Sequence, residues 1–403
     1  MQNFTFYLPT KLIFGPGEIE KIGHEAKAYG EKALIVTGKR SASAFGIINR
    51  VTDLLEKEGI AAVVFDKIEP NPRTTTIDEA AELARKNGCD MIIGLGGGSP
   101  MDAAKGVAVG AAEDTPIWDF IYHGQPVPRK VKKALPIIEI PTLAATGSEA
   151  DSTAVITNWE THEKSVLGSP LLYPKVSIID PELTITVPVD YTIDGGIDII
   201  AHVIEGFFTG ADETPIQDRF SLSIVRTVME YLPKVIEKPD DINARSQLSW
   251  CSALALSGLN SGRGGPFPLH AMQHALSGHY DISHGRGLAL LLPRLMTYTY
   301  ESRPSKFAFM ARELFGADPK QSEKTLARTA IEEMIKFLRS VDRYITMPDV
   351  GIKDSSRFEQ MAEDTIKIYS YGGEYLPNPK PLYKKDIVKI FEMSMSELPS
   401  GWK

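Results

Sequence analysis

Short apolar runs alternate with amphipathic helical stretches through the first half of the chain, and the alternation stops near Pro188. Ala33 to Val36 reads as a buried strand, and Ile48 to Glu58 carries apolar residues at the 3.6-residue helical period. A strand at Ala61 to Phe65, a helix at Thr76 to Asn87 and a strand at Met91 to Leu95 follow, then a glycine run and a helix from Met101 to about Ala111. Further strands are expected at Pro136 to Ile140 and Val176 to Ile179. Strand, helix, strand in repetition predicts a parallel, doubly wound sheet covered on both faces. Beyond Pro188, helical patterns take over at Gly196 to Phe208, Ser221 to Glu230, Ala244 to Leu259, His270 to Gly278 and Lys324 to Leu338. With 403 residues the chain exceeds what one core usually serves. The expectation is an α/β dinucleotide-binding domain over 1–185 and an all-α catalytic domain over 186–403, with the site between them.

Composition narrows the functions. A formal net charge of −8 and no segregated basic block argue against nucleic acid or an anionic membrane as partner. Only Cys89 and Cys251 are present, far apart in sequence, so neither a disulfide framework nor a paired-thiolate metal motif is expected. A reducing cytoplasm suits such a chain. Residues 1–15 do not read as a signal peptide. No window approaches the roughly 20 apolar residues a membrane-spanning helix requires.

The run Gly94-Leu95-Gly96-Gly97-Gly98-Ser99-Pro100-Met101-Asp102 follows an apolar strand and opens a helix. Glycines allow close backbone approach to a bulky anion. Ser99 is expected as the N-cap with Pro100 at the first helical position. Free N–H groups there, with the positive end of the helix dipole, make a pyrophosphate site. At the end of the first strand stand Thr37-Gly38-Lys39-Arg40, where many dinucleotide folds place an acid that binds the ribose hydroxyls. Glycine and two cations in that place favour NADP over NAD.

Asp198 and His202 are four residues apart in a helical segment, so their side chains share a face; His270 and His274 repeat the spacing, and His284 follows after a short loop. A carboxylate and imidazoles converging on one point form a transition-metal site suited to Fe(II) or Zn(II), between which spacing does not choose. An open position would bind a substrate oxygen and polarise it. His24, His123, His162 and His279 have no partner at ligand spacing, although His279, between His274 and His284, could line the cleft.

These motifs resemble the iron-containing (group III) alcohol dehydrogenases nearly end to end. Pro9 to Gly17 is similar to the family's N-terminal strand segment. Pro70-Asn71-Pro72, Gly96 to Lys105 and Ile140 to Glu149 are similar to its cofactor motifs. Gly196 to His202 and His270 to His284 resemble its metal signatures. Arg263 to Pro268 and the tail Tyr369 to Met393 resemble the butanol-dehydrogenase-like and 1,3-propanediol-dehydrogenase-like branch. The resemblance implies a dehydroquinate synthase-like architecture and assigns the metal to Asp198, His202, His270 and His284, with His274 beside the nicotinamide and substrate. It places Asn71, Gly97, Gly98, Ser99, Asp102, Thr142 and Thr146 against the cofactor, with Lys164 and Leu183 as further candidates. Thr153 stands where some members carry a cofactor-contacting Asn, Leu143 where a second Thr is common, and Ala145 where Gly is common. In some members a strand-end Asp selects NAD; Gly38 occupies that place, so Gly38 and Lys39 agree with NADP.

The expected activity is reversible hydride transfer between C1 of a small primary alcohol and C4 of the nicotinamide, with the substrate oxygen on Fe(II) or Zn(II) and His274 relaying the proton. A polyol or polyol-phosphate dehydrogenase, a dehydroquinate synthase-like lyase and a non-catalytic nucleotide binder are the rival readings. The N-terminal strand resembles one that pairs across a dimer, so a homodimer is expected.

Overall fold

A computed structural model describes residues 2–39, 46–124 and 127–399. Arg40 lies outside the described residues. The N-terminal half contains β1 (Lys11–Phe14), α1 (Ile22–Ala26), β2 (Lys32–Gly38), α2 (Ile47–Lys57), β3 (Ala61–Ile68), α3 (Thr74–Asn87), β4 (Met91–Gly96), α4 (Gly98–Glu113), β5 (Ile137–Pro141), β6 (Thr153–Asn158), β7 (Glu163–Gly168) and β8 (Val176–Ile179). Six of these strands form a parallel sheet in the order β1-β8-β5-β4-β2-β3.

Alternation along each strand divides the apolar side chains between two faces. Leu34 and Val36 of β2 pack with Ile77 and Ala80 of α3 and Val107 of α4. Ala33 and Ile35 pack on the other side with Ile22 of α1 and Val51 of α2. Both faces are therefore covered, which is why β2, β4 and β5 are near-continuous apolar runs. The expected strands are found in these positions.

Two local features differ from expectation. Helix α4 begins at Gly98 with Gly97 as N-cap, and Ser99 makes no cap. Pro100 sits in the first turn, where its missing N–H removes no helical bond, so the helix starts earlier than Met101. The second difference is an antiparallel hairpin of β6 and β7, paired from Thr153↔Gly168 to Asn158↔Glu163. Its strands carry Glu163, Lys164 and Ser165 among their apolar residues, which masks the strand period.

The C-terminal half is helical: α5 (Val189–Thr209), α6 (Pro215–Glu237), α7 (Ile242–Ala255), α8 (Pro268–Tyr280), α9 (His284–Thr299), α10 (Pro304–Phe315), α11 (Glu323–Ser340), α12 (Phe358–Tyr369) and α13 (Lys384–Met393). Between the last two lie the paired strands β9 (Tyr375–Leu376) and β10 (Leu382–Tyr383). A separate apolar core joins these helices through residues such as Ile200, Leu269, Leu291 and Ile331. Among the described residues no helix is long and apolar enough to cross a membrane.

The two halves meet where the site lies. The loop after β5 reaches α5, and a Cβ on Gly195 would sit 2.3 Å from the Ala144 carbonyl oxygen. The β6–β7 hairpin lies against α8, where a Cβ on Gly278 would sit 2.2 Å from the His162 carbonyl oxygen. Asp281, in the loop between α8 and α9, accepts from Asn71 Nδ2 at 2.9 Å and from Arg73 Nη2 at 3.0 Å.

Candidate functional site

Asp198 and His202 project from one face of α5, His270 and His274 from one face of α8, and His284 opens α9. The ligand atoms of Asp198, His202, His270 and His284 all lie within 4.8 Å of one another. From Asp198 Oδ1 the separations are 3.3 Å to His202 Nδ1, 3.6 Å to His284 Nε2 and 4.0 Å to His270 Nε2. Donors about 2.1 Å from a central ion in a tetrahedron lie roughly 3.4 Å apart, so this set is sized for a first-row metal.

Hydrogen bonding supports the same fit. Asp198 Oδ1, His202 Nδ1 and His270 Nε2 are buried and have no hydrogen-bond partner. Unpaired buried polar atoms are costly, and three of them facing one point suit a shared ion. Burial pushes His270 down to about 3, and drives His202 and His284 well below the usual imidazole range. The Lys164 cation adds to the effect at His270 and His284. Neutral imidazoles offer the lone pairs a metal needs. Burial also holds the Asp198 carboxyl well above the usual carboxylate range, opposed by Lys164. A bound cation reverses that preference.

Two residues that the spacing argument did not single out orient the rings. Glu205 accepts from the backbone N–H groups of Leu269 and His270 and lies 2.5 Å from His270 Nδ1. Gln273 Oε1 faces His284 Nδ1. Its amide is held in that sense because Nε2 donates to Ser277 Oγ, which donates to the Ile282 carbonyl. His270 and His284 therefore each have an acceptor for an Nδ1 proton, leaving Nε2 to the cluster, whereas His202 faces it through Nδ1. Glu205 was open to detection, since Asp198, His202 and Glu205 follow one another at helical spacing.

The cofactor candidates fall into three groups. Gly97, Gly98 and Ser99 form the start of α4, and a Cβ on Gly98 would sit 2.3 Å from Thr146 Cγ2. Thr142 is tied to the same turn through its N–H to the Gly96 carbonyl. Gly38 lies beside this turn, with its Cβ position 3.8 Å from Pro100 Cγ, while Lys39 is exposed. A second group joins the site from the other side: Lys164 Nζ donates to Asn71 Oδ1 at 2.8 Å, and burial pushes this lysine down to about 8.

The third group has internal partners. Asp102 accepts from Ser148 Oγ and the Val155 N–H, and Thr153 Oγ1 donates to Asp151. Leu183 is buried in the core beneath the sheet. His279 pairs with Asp364 at 2.7 Å and stacks on His162. His274 lies beside the metal cluster, its ring centroid 5.5 Å from that of His284, and its Nε2 is buried without a partner.

Comparison with known proteins agrees with this geometry. A family model described as iron-containing alcohol dehydrogenase matches residues 9–181, and one for the C-terminal part of the Fe-containing alcohol dehydrogenase family matches residues 192–395. The NADH-dependent butanol dehydrogenase A of Clostridium acetobutylicum is 38% identical over 396 residues, covering 98% of this chain and 100% of the relative. The 1,3-propanediol dehydrogenase of Citrobacter freundii is 32% identical, covering 97% and 98%. The crystal structure of NADH-dependent butanol dehydrogenase A from Thermotoga maritima matches with a TM-score of 0.92 at 36% identity, covering 98% of this chain and 99% of that one. The chain belongs to the iron-containing alcohol dehydrogenase family and is an oxidoreductase.

Proposed function

We propose that the chain is a metal-dependent, nicotinamide-linked alcohol dehydrogenase that also runs as an aldehyde reductase on small primary alcohols and aldehydes. The observation that carries this reading is the convergence of Asp198, His202, His270 and His284 on one point, with three buried donor atoms left unpaired. Relatives named for butanol and 1,3-propanediol support the substrate class.

In this reading those four residues hold Fe(II), or Zn(II), which supplies Lewis-acid polarisation of an alcohol or carbonyl oxygen. The α4 N-terminus, with Thr142 and Thr146 behind it, cradles the cofactor pyrophosphate through backbone N–H groups. Lys164 and Asn71 flank the nicotinamide end. Asp102 and Thr153 shape this site through the contacts described above, and Leu183, buried beneath the sheet, is a further cofactor candidate. His274 moves the proton at Nε2, the atom left free beside the cluster. Contacts at Asp281 join the two halves beside the cleft. The reaction is reversible hydride transfer between C1 of the alcohol and C4 of the nicotinamide.

The preference between cofactors rests on Gly38 and Lys39, which leave room and positive charge for a 2′-phosphate; relatives named NADH-dependent weigh the other way. The test is oxidation of NADPH and NADH with butanal, followed by absorbance under anaerobic conditions. Oxidation of either supports the function, and a higher kcat/KM with NADPH supports the charge argument. Activity with glycerol or a polyol phosphate, absent with butanal, overturns the substrate class.

The division of the chain at about 185, a homodimer and a cytoplasmic location belong to the same proposal. Edge strand β1, which pairs with β8 among the described residues, supports the dimer, and two buried free thiols suit a reducing compartment.

A further inference from the structure

We propose that Tyr369 is a positioning residue that fixes His274 in the tautomer carrying its proton on Nδ1, so that the Nε2 lone pair stays free beside the metal cluster. The inference deepens the reading of His274 as the proton-moving residue and rests on it.

The direction of each hydrogen bond follows from what each atom can do. Tyr369, at the end of α12, places its hydroxyl 2.9 Å from the carbonyl oxygen of Lys164 and 2.5 Å from His274 Nδ1. A carbonyl oxygen only accepts. If the hydroxyl turned its one proton toward His274, two oxygens with facing lone pairs would be held 2.9 Å apart. The proton is therefore committed to Lys164, and the hydroxyl oxygen accepts from an Nδ1–H of His274. That leaves Nε2 unprotonated, and this is the atom found buried without a partner. His274 is only 3% exposed, so bulk solvent does not set its ring.

The chain of contacts also crosses between the two halves. Tyr369 belongs to the helical half and Lys164 to β7, while the Lys164 ammonium bonds Asn71 Oδ1 at 2.8 Å. One residue of β7 thus anchors the histidine through its carbonyl and the cofactor side of the cleft through its side chain.

The test uses the Zn(II)-loaded full chain labelled with 15N-histidine, because the zinc form is diamagnetic. The His274 signals are identified by their loss in His274→Ala, and long-range correlations read which nitrogen carries the proton. The expected spectrum has Nδ1 protonated and Nε2 bare; the opposite tautomer in the unaltered protein overturns the proposal without any Tyr369 variant. Tyr369→Phe keeps the ring that lies 5.6 Å from the histidine and removes the hydroxyl. It should lose the single tautomer and lower kcat about 10- to 100-fold, in the range for orienting partners, with the cofactor KM little changed. In a His274→Ala background it should lower kcat no further. An equal loss in both backgrounds marks a merely structural role and overturns the proposal. Full kcat in His274→Ala overturns the proton-moving reading itself, while the spectrum still decides the tautomer.

Discussion

Burial makes the site at the scale of single residues. Histidines and a carboxylate removed from water are driven toward their neutral forms unless something charged holds them, and here their free atoms face one another. Glu205 and Gln273 decide which nitrogen of His270 and His284 faces inward. Glu205→Gln should weaken metal affinity about 10- to 100-fold, read by competition with a chelator; unchanged affinity would remove Glu205 from the site. Glu149 shows the same physics away from the metal. Burial pushes it up to about 7, against an ordinary 4.5. Between those values the folded chain holds a proton that the unfolded chain has lost, so stability falls as pH rises through the window. Glu149→Gln should therefore flatten the decline of Tm between about pH 4.5 and about pH 7; an unchanged slope rejects the assignment. The cluster was legible in sequence because helical spacing puts Asp198 with His202 and His270 with His274. Tyr369 was not, because only tertiary packing brings it to His274 across 95 residues.

Elements place these residues through close contacts that leave no room for a side chain. Gly98 touches Thr146, and Gly195, three residues before Asp198 on the same helix, touches the Ala144 carbonyl. Gly98→Ala should displace Thr146 and raise the cofactor KM, with stability nearly kept; an unchanged KM would place the cofactor elsewhere. Gly195→Ala meets backbone instead and should cost about 1–3 kcal/mol, seen as a lower Tm. The parallel sheet was legible because its strands are buried on both faces and read as apolar runs. The β6–β7 hairpin was hidden by its polar residues, and α9 by Gly285 and Gly287, which weaken the helical signal. The start of α4 was misplaced because a serine before a proline resembles a cap, whereas Gly97 performs that role.

The whole molecule works as two halves closed on one cleft, with Asp281 as a link between them. Arg73 bridges Asp281 at 3.0 Å and stacks 4.3 Å from the Trp159 ring. The pair is partly exposed, at 25% and 39%, so a double-mutant cycle of Arg73→Ala with Asp281→Asn should show coupling of only about 0.5–1 kcal/mol. The helical half alone supplies Asp198, His202, His270 and His284, and a metal held by these four residues is what the proposed alcohol chemistry depends on. The most direct measurement is to strip the protein with a chelator, then titrate Fe(II) anaerobically while following both bound metal and butanal reduction. Activity should vanish on stripping and return as one ion binds per chain, and His270→Ala and His284→Ala should retain no metal. Full activity in the stripped protein, or full metal occupancy in both variants, would contradict the account.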